Sequence, residues 1–171
     1  MKTHLPYKKG FTLIELMIAI AIMALLTGII TVNLTKSRGK ARDAKRVSDI
    51  GQLQLALELY FDRCNKYPAS AVVSGQPTID VASSCTTQSG AVITINTFIT
   101  NIPTPGTQAG QVVYRYGTNT APATDYVLMT VLEGYSEVVK DDLDGTVFSQ
   151  NCGTANNGQG TAEVHYCVGP Q

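Results

Sequence analysis

Hydrophobic residues are distributed unevenly along the chain, and their first long run predicts a helix. From Phe11 to Val32 the sequence reads FTLIELMIAIAIMALLTGIITV, in which Glu15 is the sole ionisable residue. As an α-helix this run extends about 33 Å, which matches the hydrocarbon thickness of a bilayer. The pattern therefore predicts a helix that can span a membrane.

Beyond this run the chain becomes polar, but a helical period continues. There is no proline between residues 34 and 64, and apolar side chains recur three or four residues apart at Val47, Ile50, Leu53, Leu57 and Tyr60. This spacing predicts one amphipathic face, which Leu55, Leu59 and Phe61 are expected to widen. We predict a single helix from about Thr12 to Arg63, because Pro68 cannot continue it.

The remainder of the chain, residues 65–171, predicts a small β-rich head. Two segments are typical of strands, QVVYRYG and DYVLMTVLE, and the loop between them, TNTAPAT, is suited to a hairpin. We predict a third strand at EVHYCV and a short fourth strand at TVF. AVITINTFITNIP is compatible with a strand or a short helix. The segments ASSCTTQSG and NCGTANNGQGTAE are rich in Ser, Thr, Gly and Asn and are expected to be loops.

All four cysteines lie beyond the apolar run, at Cys64, Cys85, Cys152 and Cys167. Their number is even and they lack the C-x-x-C spacing of a zinc site, so two disulfides in an oxidising compartment are expected. Three connectivities are possible. Sequence proximity favours Cys64 with Cys85 and Cys152 with Cys167. The predicted fold class is α+β: a long N-terminal helix packed on a small antiparallel sheet head, with a loop-rich, disulfide-stapled C-terminus.

The start of the chain is basic and precedes a glycine. Met1 to Lys9 contains three lysines and no acidic residue. A cleaved secretory signal usually has an apolar core of about 7–15 residues, and this run is longer. Cleavage after Gly10 would remove the basic leader and leave the hydrophobic helix in place.

The motif KKG followed by FTLIEL resembles the class III signal of type IV prepilins and type II secretion pseudopilins. The resemblance continues through the basic stretch and LELYFDRCNKYP, and more loosely through NIPTP, YRYG and DYVLMTVLE, which are similar to the major pseudopilin. It implies cleavage between Gly10 and Phe11 by a membrane peptidase, methylation of the Phe11 amine by the same enzyme, and Glu15 as the assembly carboxylate. The sequence departs from the family pattern at one place: many members have a proline late in the apolar run, and this chain has TVN there.

The resemblance also implies an organisation, a location and partners. The expected segments are a leader (1–10), a transmembrane assembly helix (11–33), an amphipathic stalk helix (34–64) and a globular head (65–171). The precursor would lie in the inner membrane with a cytoplasmic N-terminus, and the assembled form in a periplasmic or extracellular filament. Expected partners are identical or related subunits, the prepilin peptidase and methyltransferase, an inner-membrane assembly platform and, before assembly, membrane lipid.

Inserting an acidic residue such as Glu15 into a membrane costs about 2.5–3.5 kcal/mol of free energy near the centre of a helix. The cost is lower near an end of the helix. A carboxylate in such a position calls for a partner. Cleavage would free the α-amine of Phe11, one helical turn away. We expect Glu15 to pair with this amine in its own chain or in the next subunit, and the second arrangement would fix the register between packed helices.

Charges are separated along the chain although they sum to zero. Residues 34–46 carry six cations against one anion, whereas residues 47–171 carry four cations against eleven anions. The basic stretch has no interleaved aromatics and no nucleic-acid-binding motif, so we interpret it as a solvated helix face beside lipid headgroups.

The segment KDDLDGT contains a cluster of acidic residues that resembles part of a calcium loop. In EF-hand register the first and twelfth ligands would be Lys140 and Asn151, so that motif fails. The major pseudopilin binds calcium in its C-terminal loop, so the resemblance leaves open a calcium site formed by Asp141, Asp142 and Asp144. The favoured interpretation is a turn capped by Asp and Gly, with no cofactor.

Catalytic patterns do not occur in the chain. It has no G-x-S-x-G, Walker or H-E-x-x-H motif, and an enzyme is not expected. Two functions remain: a structural subunit that polymerises through its N-terminal helix, or a membrane-anchored extracytoplasmic binding module or adhesin with the helix as a simple tether. A tether does not need cleavage after Gly10 and should tolerate loss of Glu15.

Overall fold

The computed structural model describes residues 10–106, 113–134, 139, 142–152 and 164–170, and for residues 29–36 and 164 it describes the backbone alone. The chain divides into two compact units, Met1–Arg38 and Gly39–Gln171, with the division inside the long helix.

Helix α1 runs from Leu13 to Cys64 and contains 52 residues. Both ends agree with the predicted ends to within one residue. The helix stops where Asn65 takes a left-handed conformation with φ of 51°. The Asn65 N–H donates to the Phe61 carbonyl at 2.8 Å, which satisfies one carbonyl of the last turn.

Two hairpins follow the helix. Strands β1 (Ser70–Val73) and β2 (Gln76–Ile79) pair antiparallel, as do β3 (Ser84–Thr86) and β4 (Val92–Thr94). A short 3₁₀ helix, Ile95–Thr97, comes directly after β4, so the ambiguous segment contains a strand and then a helical turn. The prediction of a loop was wrong for β3, whose three residues are held by pairing with β4 rather than by any alternation of their own.

The main sheet has three antiparallel strands in the order β5-β6-β9, with β5 at Arg115–Thr118, β6 at Tyr126–Leu132 and β9 at Val164–Val168. Between β6 and β9 in sequence, β7 (Gly145–Val147) and β8 (Gln150–Cys152) form a separate hairpin. The four predicted strands are therefore present. The prediction that NCGTANNGQGTAE is a loop was wrong at its start, because Asn151 and Cys152 belong to β8; its remaining residues, 153–163, lie outside the described residues.

The whole of β6 is buried because both of its faces are covered. Successive side chains of a strand point to opposite faces. Tyr126 and Leu128 pack in the cluster that contains the buried residues of α1, whereas Val127 and Met129 pack with the disulfide cysteines and with Phe148 of the β7–β8 turn. The antiparallel head packed on the helix confirms the predicted α+β class.

The face of α1 that enters the core is the one its periodicity predicted. Ile50, Leu53, Leu57 and Tyr60 are almost fully buried. Leu55 and Leu59 are 62% and 43% exposed, so the prediction that they widen this face was wrong. At 100° per residue Leu55 lies roughly opposite Leu53, and an apolar side chain there cannot reach the sheet.

Tyrosines supply much of this core, and most of their buried hydroxyls have partners. Tyr114 donates to Asp49 at 2.7 Å, and Tyr116 donates to the Pro68 carbonyl at 2.8 Å. Tyr67 and Tyr126 donate to the two carboxylate oxygens of Glu58, each at 3.0 Å. A buried tyrosine combines a large apolar ring with a hydroxyl that needs a partner, and the bond from Tyr126 of β6 to Glu58 ties the sheet to the helix.

Candidate functional site

The residues at the predicted cleavage point lie at the start of α1. Gly10 is exposed and Phe11 is 94% exposed, and neither belongs to the helix, which begins at Leu13. The Gly10–Phe11 peptide bond is therefore in non-helical, accessible backbone. A peptidase can bind an accessible bond that lies outside regular secondary structure and is flanked by a small residue.

The first turn of α1 is closed by a capping box that involves Glu15. The N–H and the hydroxyl of Thr12 donate to Glu15 Oε2 at 2.9 and 2.7 Å, and the Glu15 N–H donates back to the Thr12 hydroxyl at 3.3 Å. Reciprocal bonds of this kind satisfy N–H groups that have no partner inside the helix. Glu15 thus has a local role that the sequence reasoning missed, although the T-x-x-E spacing signals it.

One oxygen of the Glu15 carboxylate is left over. Both bonds from Thr12 end on Oε2, and among the described residues no donor reaches Oε1. A carboxylate has about four lone-pair positions, so Glu15 can cap the helix and still accept a hydrogen bond from an amine.

The side chains between Phe11 and Leu26 form an uncovered apolar surface. Every large apolar residue in this stretch is more than half exposed, namely Phe11, Leu13, Ile14, Leu16, Met17, Ile18, Ile20, Ile22, Met23, Leu25 and Leu26. Contiguous exposed apolar surface of this extent marks a site of contact with another protein or with lipid. In the part of the chain that the structure describes, no helix combines the length and the apolar character needed to cross a bilayer.

The basic stretch of α1 is partly neutralised inside the chain. Arg46 is 1% exposed and donates to Asp43 at 2.8 Å and to Glu133 at 2.9 Å. Arg42 also forms a two-pronged pair with Glu133. Asp43 in turn accepts the N–H groups of Glu133 and Gly134 at 2.9 and 3.1 Å. The interpretation of the basic stretch as a solvated face was therefore wrong for Arg46, whereas Arg42 is paired with Glu133 but keeps a side chain that is 41% exposed.

This cluster has the electrostatics of a structural ion network. The hydrogen bond from Arg42 holds the pKa of Glu133 below its usual value, although burial acts in the opposite direction. Each buried charge is hydrogen-bonded as well as paired, which is the condition under which a buried ion pair is tolerated. The three-residue spacing of Asp43 and Arg46 predicts an ion pair on one face of the helix. The pairing of Arg46 with Glu133 could not be predicted in the same way, because the two residues are 87 positions apart in the chain.

The cysteines form two disulfides, Cys64–Cys85 and Cys152–Cys167. This is the connectivity that sequence proximity favoured. The first joins the end of α1 to β3, and the second joins β8 to β9. The second disulfide lies in the apolar cluster on the β6 face away from α1.

Of the calcium candidates, Asp141 lies outside the described residues. Asp142 Oδ2 accepts the N–H of Cys167 at 3.0 Å, and the Leu143 N–H donates to the Cys167 carbonyl at 3.0 Å. Burial raises the pKa of Asp142. Among the described residues, no group of three or more His, Cys, Asp or Glu side chains is arranged to hold a metal ion. The geometry that is visible at Asp142 is that of a turn tied to β9.

Comparison with known proteins finds one family motif and a group of relatives. The family model of the prokaryotic N-terminal methylation motif matches residues 5–31. The chain is 40% identical over 63 residues to the type II secretion system core protein G of Pectobacterium carotovorum subsp. carotovorum, a match that covers 37% of this chain and 40% of that protein.

Relatives from other bacteria match in the same way. The core protein G of Aeromonas hydrophila is 40% identical and that of Escherichia coli (strain K12) is 38% identical, each over 63 residues and 37% of this chain, covering 44% and 43% of those proteins. The chain thus spans less than half the length of these curated relatives. No solved structure matches it. Both comparisons agree with the KKG-FTLIEL motif: the chain carries the N-terminal methylation motif of prepilins and is similar to the major pseudopilins of type II secretion.

Proposed function

We propose that this protein is a structural subunit of a type II secretion pseudopilus or a type IV pilus. In this proposal the precursor is held in the inner membrane by residues 11–33 with its N-terminus in the cytoplasm. A prepilin peptidase cleaves it after Gly10, and the new amine of Phe11 is methylated. The mature chain then polymerises with identical or related subunits on a membrane assembly platform, giving a periplasmic or extracellular filament.

The observation that carries the proposal is the environment of the first turn of α1. Gly10 and Phe11 are exposed and outside the helix, and immediately after them the capping box starts the helix at Leu13. Cleavage at Gly10 leaves this capping box intact because Thr12 and Glu15 both lie beyond the cut. Maturation therefore creates a charged amine beside the helix without unfolding its first turn.

Glu15 then has two functions in the proposal. Oε2 caps the helix of its own chain, and Oε1 remains available for the amine of a neighbouring subunit. A helix that docks at the wrong height would leave both charges unpaired in an apolar surrounding, which is costly. The pair would thus fix the register of helices whose other contacts are apolar and non-directional.

Intact mass of the protein extracted from its membrane tests the proposal. We expect a chain that begins at Phe11 and is one methyl group heavier than its calculated mass. The control is Gly10→Val, which should retain the full leader because the bulky side chain blocks the cleavage site. A wild-type chain that begins at Met1, with no methyl group added, would contradict the proposal and leave the membrane-anchored binding module as the function.

A further inference from the structure

A cleft of about 300 Å³ lies in the head beside the end of α1. Its walls come from four stretches of chain: the end of α1, the segment between α1 and β1, the beginning of β3, and the loop between β5 and β6. The whole cleft belongs to the unit Gly39–Gln171. Its volume is at the lower end of the range for ligand pockets, about 300–1,000 Å³, so it suits one small molecule rather than a segment of another protein.

The walls of the cleft are joined to one another within the chain. The Tyr67 N–H donates to the Ala123 carbonyl at 2.7 Å, which links the segment after α1 to the β5–β6 loop. The Ala69 N–H donates to the Ser83 hydroxyl at 2.9 Å, and the disulfide at the end of α1 joins that helix to β3. The cleft is therefore formed before any ligand enters, as is usual for small-molecule sites.

The hydroxyl of Tyr60 is an unsatisfied donor at this cleft. Tyr60 lines the cleft and is 0% exposed, and among the described residues its hydroxyl has no hydrogen-bond partner. The hydroxyls of the other core tyrosines described above all have one. A buried hydroxyl without a partner is costly and calls for an explanation. An acceptor atom of a bound ligand would provide the missing partner.

Two more donors line the cleft without a partner among the described residues. They are the ammonium group of Lys66 and the hydroxyl of Ser84, and both residues are exposed. The other polar side chains of the lining already bond within the chain, namely those of Tyr67, Ser83, Thr118 and Asn119. What the cleft offers to a ligand is thus a set of three donors.

These donors select a ligand that carries acceptors and a negative charge. Among the described residues that line the cleft, Lys66 alone is charged, and an ammonium group can only donate. Burial raises the pKa of Tyr60, and the charge of Asp80 acts in the same direction, so the hydroxyl keeps its proton at neutral pH. A carboxylate has two acceptor oxygens and one charge, and its hydrogen bonds to such donors are strong.

The remainder of the lining is apolar and suits the body of a ligand. It includes the rings of Tyr60, Tyr67 and Pro122 together with three alanines. Aromatic rings pack favourably against one another. Apolar walls with a few polar groups that fix orientation are the usual composition of a small-molecule site.

We propose that this cleft binds a small monocarboxylic acid with an aromatic ring, whose carboxylate is held by Tyr60, Lys66 and Ser84. The inference goes beyond the proposed function and does not depend on it, because the cleft is complete within one chain.

Equilibrium dialysis of radiolabelled benzoate against the full-length protein in detergent tests the site, with protein-free micelles as the blank. We expect saturable binding of one benzoate per chain. Tyr60→Phe removes the hydroxyl alone and Lys66→Gln removes the charge. Each should weaken binding about tenfold, as for the loss of one hydrogen bond to a charged group. The matched control is Lys40→Gln, which changes an exposed lysine of α1 outside the cleft and should leave the affinity unchanged.

Two competitors test the ligand class. Benzamide has the shape of benzoate without its charge, and inorganic phosphate has charge without a ring, so neither should displace benzoate at equal concentration. Absence of saturable binding, displacement by either competitor, or equal affinity in the wild type and either cleft variant would overturn the inference. Equal weakening by Lys40→Gln and Lys66→Gln would overturn it too, since benzoate would then be responding to net charge.

The melting temperature of ligand-free Tyr60→Phe separates a binding role of the hydroxyl from a structural one. Since the hydroxyl has no partner among the described residues and the ring stays in the core, we expect the variant to melt at the same temperature as the wild type or higher. A lower melting temperature would mean that the hydroxyl is bonded within the chain, and would overturn the inference.

Discussion

The two ends of α1 differ in what covers their apolar side chains. Between Phe11 and Leu26 every large apolar side chain is more than half exposed, whereas Ile50, Leu53, Leu57 and Tyr60 are buried against the sheet. In the unit Gly39–Gln171 the buried Arg46 is also paired within the chain, with Asp43 and Glu133. The apolar side chains of α1 in the second unit are therefore covered by its own chain, whereas those between Phe11 and Leu26 need lipid or another protein to cover them.

The largest expected effect comes from removing the central cation of this self-contained unit. Arg46→Ala leaves Asp43 without its pair and Glu133 with Arg42 alone, and breaking a buried pair costs about 3–5 kcal/mol. Chemical denaturation of the detergent-solubilised protein measures the loss. Lys45→Ala is the control, since the Lys45 side chain is 69% exposed and comes no closer than 3.9 Å to Asp49, so its loss should cost less than about 1 kcal/mol. Equal effects of the two variants would contradict the network.

Loss of the disulfide at β9 should be the next largest effect. Cys152 and Cys167 are 15 residues apart, and a loop of that length corresponds to about 3 kcal/mol on the chain-entropy model. We expect the double variant Cys152→Ser/Cys167→Ser to lower the melting temperature strongly and a calcium chelator to leave the wild type almost unchanged. A large fall with chelator and a small one in the double variant would establish a metal site at Asp141, Asp142 and Asp144.

Replacing Gly117 of β5 by alanine should have the opposite effect on stability from replacing Gly51, an exposed glycine of α1. A Cβ on Gly117 would lie 2.7 Å from the Phe148 carbonyl oxygen, a backbone atom that cannot move freely, so Gly117→Ala should destabilise by about 1–3 kcal/mol. Gly51→Ala meets nothing and should stabilise the isolated chain by up to about 1 kcal/mol. Denaturation of both variants checks this; a destabilised Gly51→Ala would show that the helix needs glycine for its own fold.

The smallest effect concerns pH. The pKa of Glu133 is lower in the folded chain than its unfolded value of about 4.3, so its contribution to stability is present above that pH and is lost as the pH falls through the folded pKa. Asp142 has a raised pKa and opposes this trend. We expect Glu133→Gln to flatten the acid side of a plot of melting temperature against pH. An unchanged acid side would mean that other carboxylates govern it.

Much of this architecture could be predicted from local patterns. The buried face of α1 follows from its period, the helix end from Pro68, and the main strands from segments rich in β-branched and aromatic residues that loops separate. Leu55 and Leu59 were wrongly predicted to join the buried face because they are apolar, although their positions around the helix axis point away from it. Arg46 could not be predicted to be buried, because its partner Glu133 comes from a strand end 87 residues away. The T-x-x-E spacing of Thr12 and Glu15 indicates a capping box, but Glu15 was interpreted only as an assembly carboxylate.

In the proposed function the charge of Glu15 pairs copies of the chain in addition to capping its helix. Glutamine can replace glutamate in a capping box, so Glu15→Gln preserves the start of α1 while it removes the charge. Thr12→Val is the matched variant that removes the side-chain cap and keeps the charge. Counting filaments by electron microscopy at equal protein levels separates the two roles. We predict few or irregular filaments from Glu15→Gln and near-normal filaments from Thr12→Val; abundant regular filaments from Glu15→Gln would contradict the claim and leave capping as the role of Glu15.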